Sequence, residues 1–318
     1  MRWIATVALV FATMIGAPAA RAESAARIDH IVRVTDRWLQ VFVRSPAMAG
    51  TVQVDVLLPR HRDAPRPTVY LLEGIDSARP DQNDWTFQGG AVEFFADKNV
   101  NVVLPVGGAG SYYTDWQRDD PVRGHQKWET LLTRELPPLL NTRFDGNGRN
   151  AVLGISMGAQ AAMMLAERSG DLYAGVAALS GCFNTSDAIG QAELRYIVGT
   201  DGSDPDAMWG PSTDSDWAAH DVLTHADRLT GKSLYLYAAS GLPGEHENAT
   251  TPDLPDVVFE GGAIEFGTRL CTDLLRENLR TLGIPATYDL TPAGTHSWPY
   301  WRDHLATAWP VLAAALSP

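Results

Sequence analysis

Residues 150–164, NAVLGISMGAQAAMM, carry the reading that decides the fold. An apolar run, Ala151-Val152-Leu153, enters Gly154-Ile155-Ser156-Met157-Gly158, and a helix-forming run of Ala and Met leaves it. This is the order strand, sharp turn, helix, with G-x-S-x-G at the turn, that exposes a serine hydroxyl at the end of a sheet as a nucleophile. Glycines stand near the serine because a Cβ there would collide with the neighbouring backbone. Chance alone places the five-residue pattern in about one chain in ten of this composition, so the strand and helix around it carry the weight. The bland alternative is a small-residue turn with an exposed serine.

Outward from this turn, strands and helices alternate. Upstream, residues 28–58 read as β structure with period-two segments at 38–43 and 52–58. Apolar strands follow at 68–72 and 100–106, with a short helix at 91–97 between them and a helix at 128–140 before the turn. That last helix spaces Trp128, Leu131, Leu132, Leu136 and Leu139 along one face. Downstream come strands at 173–179, 233–239 and 286–290 and helices at 265–282 and 301–316, with a polar Gly/Asp-rich insertion over 180–221. The alternation after residue 68 predicts an α/β fold, a mainly parallel central sheet flanked by helices. Functional groups in such sheets gather at the carboxyl ends of the strands.

Residues 1–22 have the parts of a secretory signal peptide: Arg2, an apolar stretch over 3–15, and Ala20-Arg21-Ala22 as an A-x-A cleavage site. Residues 23–318 then form a single domain. The formal charge of −13 becomes −15 when Arg2 and Arg21 leave with the leader, which argues against nucleic acid or an anionic membrane as partner. No later stretch is apolar enough to span a bilayer, so the chain is expected to be secreted or in the cell envelope, not an integral membrane protein. Two cysteines, Cys182 and Cys271, allow one disulfide in an exported chain; two buried free thiols are the alternative.

A serine hydroxyl needs a base to take its proton. Of eight histidines, His296 follows the last strand in a Gly-containing loop, which suits the chain order nucleophile, acid, histidine. The acid lies between, among Glu245, Glu247, Asp253, Asp256, Glu260 and Glu265, and the pattern alone does not choose. An oxyanion would be met by the N–H of Met157 and by one from the turn after the 68–72 strand, with Ile75 the candidate donor. Trp85, Tyr112, Tyr113, Trp116 and Trp298 are candidate sugar platforms, although most tryptophans belong to the core. No P-loop, H-E-x-x-H or paired C-x-x-C occurs, and Asp201–Asp206 lacks the glutamate of an EF-hand, so neither cofactor nor metal is expected.

Seven segments together resemble the trehalose mycolyltransferases, the antigen 85 proteins and their corynebacterial-type relatives: TVYLLEG (68–74), NVVLPVGG (101–108), SYYTDW (111–116), KWETLLTRELP (127–137), GISMG (154–158), MWGPSTDSDW (208–217) and GTHSWPYW (294–301). The resemblance implies an α/β-hydrolase fold and a Ser156–Glu265–His296 triad. Glu265 is chosen because the family's acid precedes an arginine by four residues, here Arg269, and the histidine by about thirty. It also supports Ile75 and Met157 as the oxyanion hole. It implies an enzyme, expected to be a monomer, that moves a mycolyl chain from trehalose monomycolate to trehalose or cell-wall arabinogalactan, with Glu73, Asp76, Arg79 and Trp298 toward the substrate. A secreted carboxylesterase using water, and a non-catalytic cell-wall or matrix-binding protein, are the rival readings. The chain departs from the family at Leu72-Glu73-Gly74-Ile75-Asp76, where Leu-Asp-Gly-Leu-Arg is common, and in lacking a cysteine pair near 119–124.

Overall fold

The structure, a computed structural model, describes residues 25–75 and 79–317; the leader over 1–22 and Asp76 lie outside the described residues. Nine strands form one sheet: β1 (Arg27–Arg33), β2 (Trp38–Arg44), β3 (Thr51–Leu57), β4 (Arg66–Leu72), β5 (Asn101–Pro105), β6 (Gly146–Ile155), β7 (Tyr173–Leu179), β8 (Ser233–Ala238) and β9 (Thr287–Leu290). Their spatial order is β1-β2-β3-β5-β4-β6-β7-β8-β9. The pairings from β1 to β5 are antiparallel, and those from β5 through β9 are parallel, as the alternation predicts. Among the described residues, five α-helices have nine residues or more: α1 (Leu136–Phe144), α2 (Met157–Arg168), α3 (Ala188–Gly199), α4 (Gly262–Thr281) and α5 (Trp298–Leu316).

The central strands read as unbroken apolar runs because both sheet faces are covered. In β4, Tyr70 and Leu72 enter the core beneath α2, while Val69 and Leu71 enter the core beneath α5. All four are fully buried, and each such side chain withdrawn from water contributes about 1.5–3 kcal/mol before entropy is counted. After β4 the chain crosses to β5 on one side and returns to β6 on the other. The loops leaving β4 and β6 therefore diverge at a switch point, where parallel sheets form crevices. Leu72 pairs with Gly154 there, so the ends of the two strands lie side by side.

One expectation is revised. The insertion over 180–221 contains α3, whose apolar residues divide between a core face (Leu194, Val198) and a solvent-facing one; a divided stripe flanked by Gly, Asp and Thr hides the helical period. In α4, Leu275 and Leu279 are buried, but Leu270 and Leu274 remain 52% and 56% exposed. Those four leucines form two faces.

Candidate active site

Ser156 sits between β6 and α2 at φ 53° and ψ −123°, a backbone conformation that costs about 1–3 kcal/mol outside glycine. Close packing imposes it. A Cβ on Gly154 would lie 1.9 Å from the Gly158 carbonyl oxygen, and one on Gly158 would lie 2.2 Å from that of Glu73. Both glycines of the motif are thus fixed by the approach of helix to strand. The Ser156 N–H donates to the Leu179 carbonyl at 2.9 Å, tying the turn to β7.

Three elements bring the remaining groups to this serine. His296, on the loop between β9 and α5, places Nε2 2.9 Å from Ser156 Oγ. Its Nδ1 lies 2.8 Å from Glu265 Oε2. Glu265 stands in the first turn of α4 and is fully buried. Its other oxygen, Oε1, accepts from the Ala239 N–H at 2.7 Å and from Ser180 Oγ at 2.9 Å. Ser180, at the end of β7 with φ 57°, in turn accepts from Trp301 Nε1 at 3.1 Å. The Trp301 ring meets His296 edge-on at 4.9 Å. The structure brings together Ser156 and His296, expected from their positions, and Glu265, expected from the resemblance; Ser180 and Trp301 were not anticipated. The available signal was position, since Ser180 follows a parallel strand as directly as Ser156 does.

The turn after β4 lies against the serine: a Cβ on Gly74 would be 3.5 Å from Ser156 Cβ. Ile75 and Met157 both border the cleft at this point. The Met157 Sδ accepts from the Tyr112 N–H at 3.4 Å, which holds that side chain. Met157 is also the first residue of α2, where backbone N–H groups lack helical partners and favour negative charge.

Ser156 opens onto a cleft of about 1000 Å³. One wall is α3, with Ile189, Tyr196 and Ile197; the other is α4, with Ile264, Leu270 and Leu274. The cleft face of α3 leaves Ile189 79% and Tyr196 76% exposed, and that of α4 leaves Leu274 56% exposed. Apolar surface on this scale marks a binding groove more often than idle surface. Cys182 and Cys271 are joined by a disulfide that ties the segment after β7 to α4 within the same wall.

Of the expected substrate contacts, Trp298 lines the cleft. Glu73 does not. Its fully buried carboxyl accepts from the Asp84 N–H on Oε1 and has no partner on Oε2. Burial, opposed by that one bond and reinforced by the Asp84 and Asp55 charges, pushes it up to about 8. The turn folds Glu73 inward because its own N–H bonds Tyr113 Oη at 3.2 Å. Arg79 also lies outside the cleft lining, with its guanidinium 4.2 Å over the Phe87 ring and a bond to Gln82 Oε1 at 2.9 Å. Trp85, Tyr113 and Trp116 are buried away from the cleft, and Tyr112, though almost fully buried, borders it. Asp201–Asp206 is a capped turn in which Asp201 pairs with Arg123 and Asp204 caps the next helical turn. Glu245, His246 and Asp303 bring ligand-type atoms within 4.8 Å of one another, with His246 Nε2 already 2.7 Å from Asp303 Oδ2.

Comparison with known proteins bears on this geometry. The model of the Esterase family matches residues 45–312. The chain is 34% identical over 260 residues to the diacylglycerol acyltransferase/mycolyltransferase Ag85B of Mycobacterium avium, covering 79% of this chain and 76% of that one. It is 29% identical to Ag85C of Mycobacterium leprae, over 86% and 81% of the two chains. The crystal structure of Mycobacterium tuberculosis MPT51 (FbpC1) superposes with a TM-score of 0.74 at 25% identity, over 89% of this chain and all of that one.

Proposed function

The chain belongs to the family of the Ag85 diacylglycerol acyltransferases/mycolyltransferases, and from that premise we propose that it moves a mycolyl chain from trehalose monomycolate, through a Ser156 acyl-enzyme, to a second sugar hydroxyl. The observation that carries this reading is the relay Ser156–His296–Glu265 opening onto an apolar cleft large enough for an alkyl chain. His296 takes the Ser156 proton as Oγ attacks the ester carbonyl. The Ile75 and Met157 N–H groups would meet the oxyanion, and Glu265 holds the imidazole in the tautomer that leaves Nε2 free. Collapse of the tetrahedral adduct passes the proton to the departing trehalose. The acceptor hydroxyl then repeats the sequence in reverse.

The apolar walls of α3 and α4 would hold the acyl chain and keep water from the acyl-enzyme, which is what separates transfer from hydrolysis. Trehalose or cell-wall arabinan serves as acceptor in this reading, and Trp298 faces it. The leader over 1–22 would place the enzyme outside the cytoplasmic membrane. No helix among the described residues is long and apolar enough to cross one.

Incubation of the purified protein with trehalose monomycolate should yield trehalose dimycolate, and Ser156→Ala should lower that rate on the order of 10⁴–10⁶-fold. Free mycolate as the sole product would make the protein an esterase. No product from either the wild type or the variant would remove the catalytic reading.

A further inference from the structure

One segment of the chain meets both the acid and the base of the relay. The loop that leaves β8 begins at Ala239, whose N–H donates to Glu265 Oε1 at 2.7 Å. It then runs beside the loop that carries His296. The Gly241 N–H donates to the Gly294 carbonyl at 3.0 Å, and the Gly294 N–H returns to the Leu242 carbonyl at 2.7 Å. Ser240 Oγ donates to the Pro292 carbonyl at 2.6 Å. Neither loop has regular secondary structure over residues 239–252 or 291–297, so bonds of this kind set how one lies against the other. Those three stop short of His296.

Glu247 completes the contact. Its Oε1 accepts from Thr295 Oγ1 at 2.8 Å, and its Oε2 accepts from Tyr300 Oη at 2.6 Å and from the Gly244 N–H at 2.7 Å. Thr295 directly precedes His296 and is fully buried, and Tyr300 follows it in the first turn of α5. One half-buried carboxylate therefore clasps the His296 loop on both sides, while the Gly244 bond ties it to its own loop. Bonds to a carboxylate are the strong kind. A Cβ on Gly244 would lie 2.4 Å from Tyr300 Oη, so glycine lets the phenol reach the carboxylate. Desolvation, then the bond to Glu247, holds the Tyr300 hydroxyl above its ordinary value, so it stays a donor. Both ring nitrogens of His296 are taken by Glu265 and Ser156. That leaves Glu247, one of the candidate acids, no place in the relay itself.

We propose that Glu247 is a positioning residue for the base: through Thr295 and Tyr300 it holds His296 so that Nε2 stays on Ser156 Oγ while Nδ1 stays on Glu265. It acts through those two side chains and not on the reacting atoms. The proposal rests on the serine relay of the reading above and adds a second carboxylate to it, with a different task. Glu265 sets the tautomer of the imidazole, and Glu247 sets its place. Misplacing a reacting group by about 1 Å costs on the order of 10²-fold in rate.

The test measures hydrolysis of p-nitrophenyl decanoate per competent serine, the competent serines being counted by exhaustive reaction with a p-nitrophenyl phosphonate. Glu247→Ala should lower kcat about 10–100-fold with KM nearly unchanged. Glu247→Gln should recover most of that rate. Its carbonyl can accept from Gly244 and Tyr300, and its amide can donate to Thr295 Oγ1, whose own hydrogen turns to Ser297 Oγ at 3.2 Å. Thr295→Val should cost about 3–10-fold alone and little more in the Glu247→Ala background, because both remove the same bond. If Glu247→Ala gives no folded protein, Thr295→Val combined with Tyr300→Phe cuts the clasp from the other side and must show the same loss in kcat. Fewer competent serines with an unchanged rate at each would make Glu247 a residue of folding and overturn the assignment. So would Glu247→Gln falling as far as Glu247→Ala, since the charge and not the clasp would then matter. A wild type inactive on the ester overturns the serine relay and this assignment together, whereas failure to transfer to trehalose counts against the transfer reading alone.

Discussion

Glu265 and Glu73 are both withdrawn completely from solvent, and each lies within a residue or two of the groups that surround Ser156, but their surroundings differ. Glu265 receives three donors: the Ala239 N–H, the Ser180 hydroxyl and His296 Nδ1. Glu73 receives the Asp84 N–H on one oxygen and nothing on the other, and burial lifts its carboxyl to about 8. A buried carboxyl surrounded by donors can hold charge against an imidazole. One with a single donor is more stable carrying its proton, and there it serves the turn that presents Gly74 and Ile75. In the proposed mechanism, the side of the site that would move protons and the side that would shape the oxyanion turn use the same residue type in opposite ways.

The largest expected effect tests the first half of that contrast. Glu265→Gln keeps the shape and the bonds to Ala239 and Ser180 but presents an amide donor to His296 Nδ1. The imidazole then adopts the tautomer that protonates Nε2 and can no longer accept from Ser156. A fall in kcat on the order of 10³–10⁴-fold is expected in ester hydrolysis, by the logic of the serine triad. Glu73→Gln, measured alongside, should stay within a few-fold of wild type. Equal losses in both variants would erase the distinction.

A smaller effect sharpens it. Ser180→Ala removes one of the three donors to Glu265 and strands Trp301 Nε1, which now bonds Ser180 Oγ. A hydrogen bond to a charged group is worth about 1.5–3 kcal/mol, so kcat should fall at least tenfold, and the stranded indole N–H should lower stability by about 1–3 kcal/mol. A full-rate variant would mean that Glu265 is held well enough by Ala239 and α4 alone.

How far this site was legible follows from the range of the forces involved. The turn at Ser156 is local: Gly154 and Gly158 are required within five residues, so the motif is written contiguously. The parallel sheet was legible too, because strands covered on both faces leave unbroken apolar runs such as residues 69–72. Glu265 was not readable from its surroundings in sequence, since its donors come from β7, β8 and the loop before α5, and only the family pattern with Arg269 picked it. Glu73 was misread for the same reason. Its burial depends on Asp84 and Tyr113, which are distant in sequence from the strand end that carries it. The cleft was hidden by amphipathicity, because Leu270 and Leu274 look like core leucines until α3 is seen to leave them facing a groove.

The smallest effect concerns the proton on Glu73, and its sign follows from linkage. In the unfolded chain a glutamate releases its proton near 4.5, whereas burial keeps the folded group protonated up to about 8. Between those values the folded state binds the extra proton, so this group's contribution is full below the unfolded pKa and is lost as pH rises toward the folded one, by about 1.4 kcal/mol per pH unit. Glu73→Gln stays neutral throughout and lacks that slope. Denaturant unfolding of both proteins from pH 5 to 8 should show wild type losing stability relative to the variant as pH increases. Glu167, another buried carboxyl raised to about 8, titrates equally in both proteins and cancels from the difference. A difference that does not change with pH would mean that Glu73 is already ionised in the folded chain. The turn at Gly74–Ile75 would then rest on a second buried charge, and the contrast with Glu265 would fail at its other end.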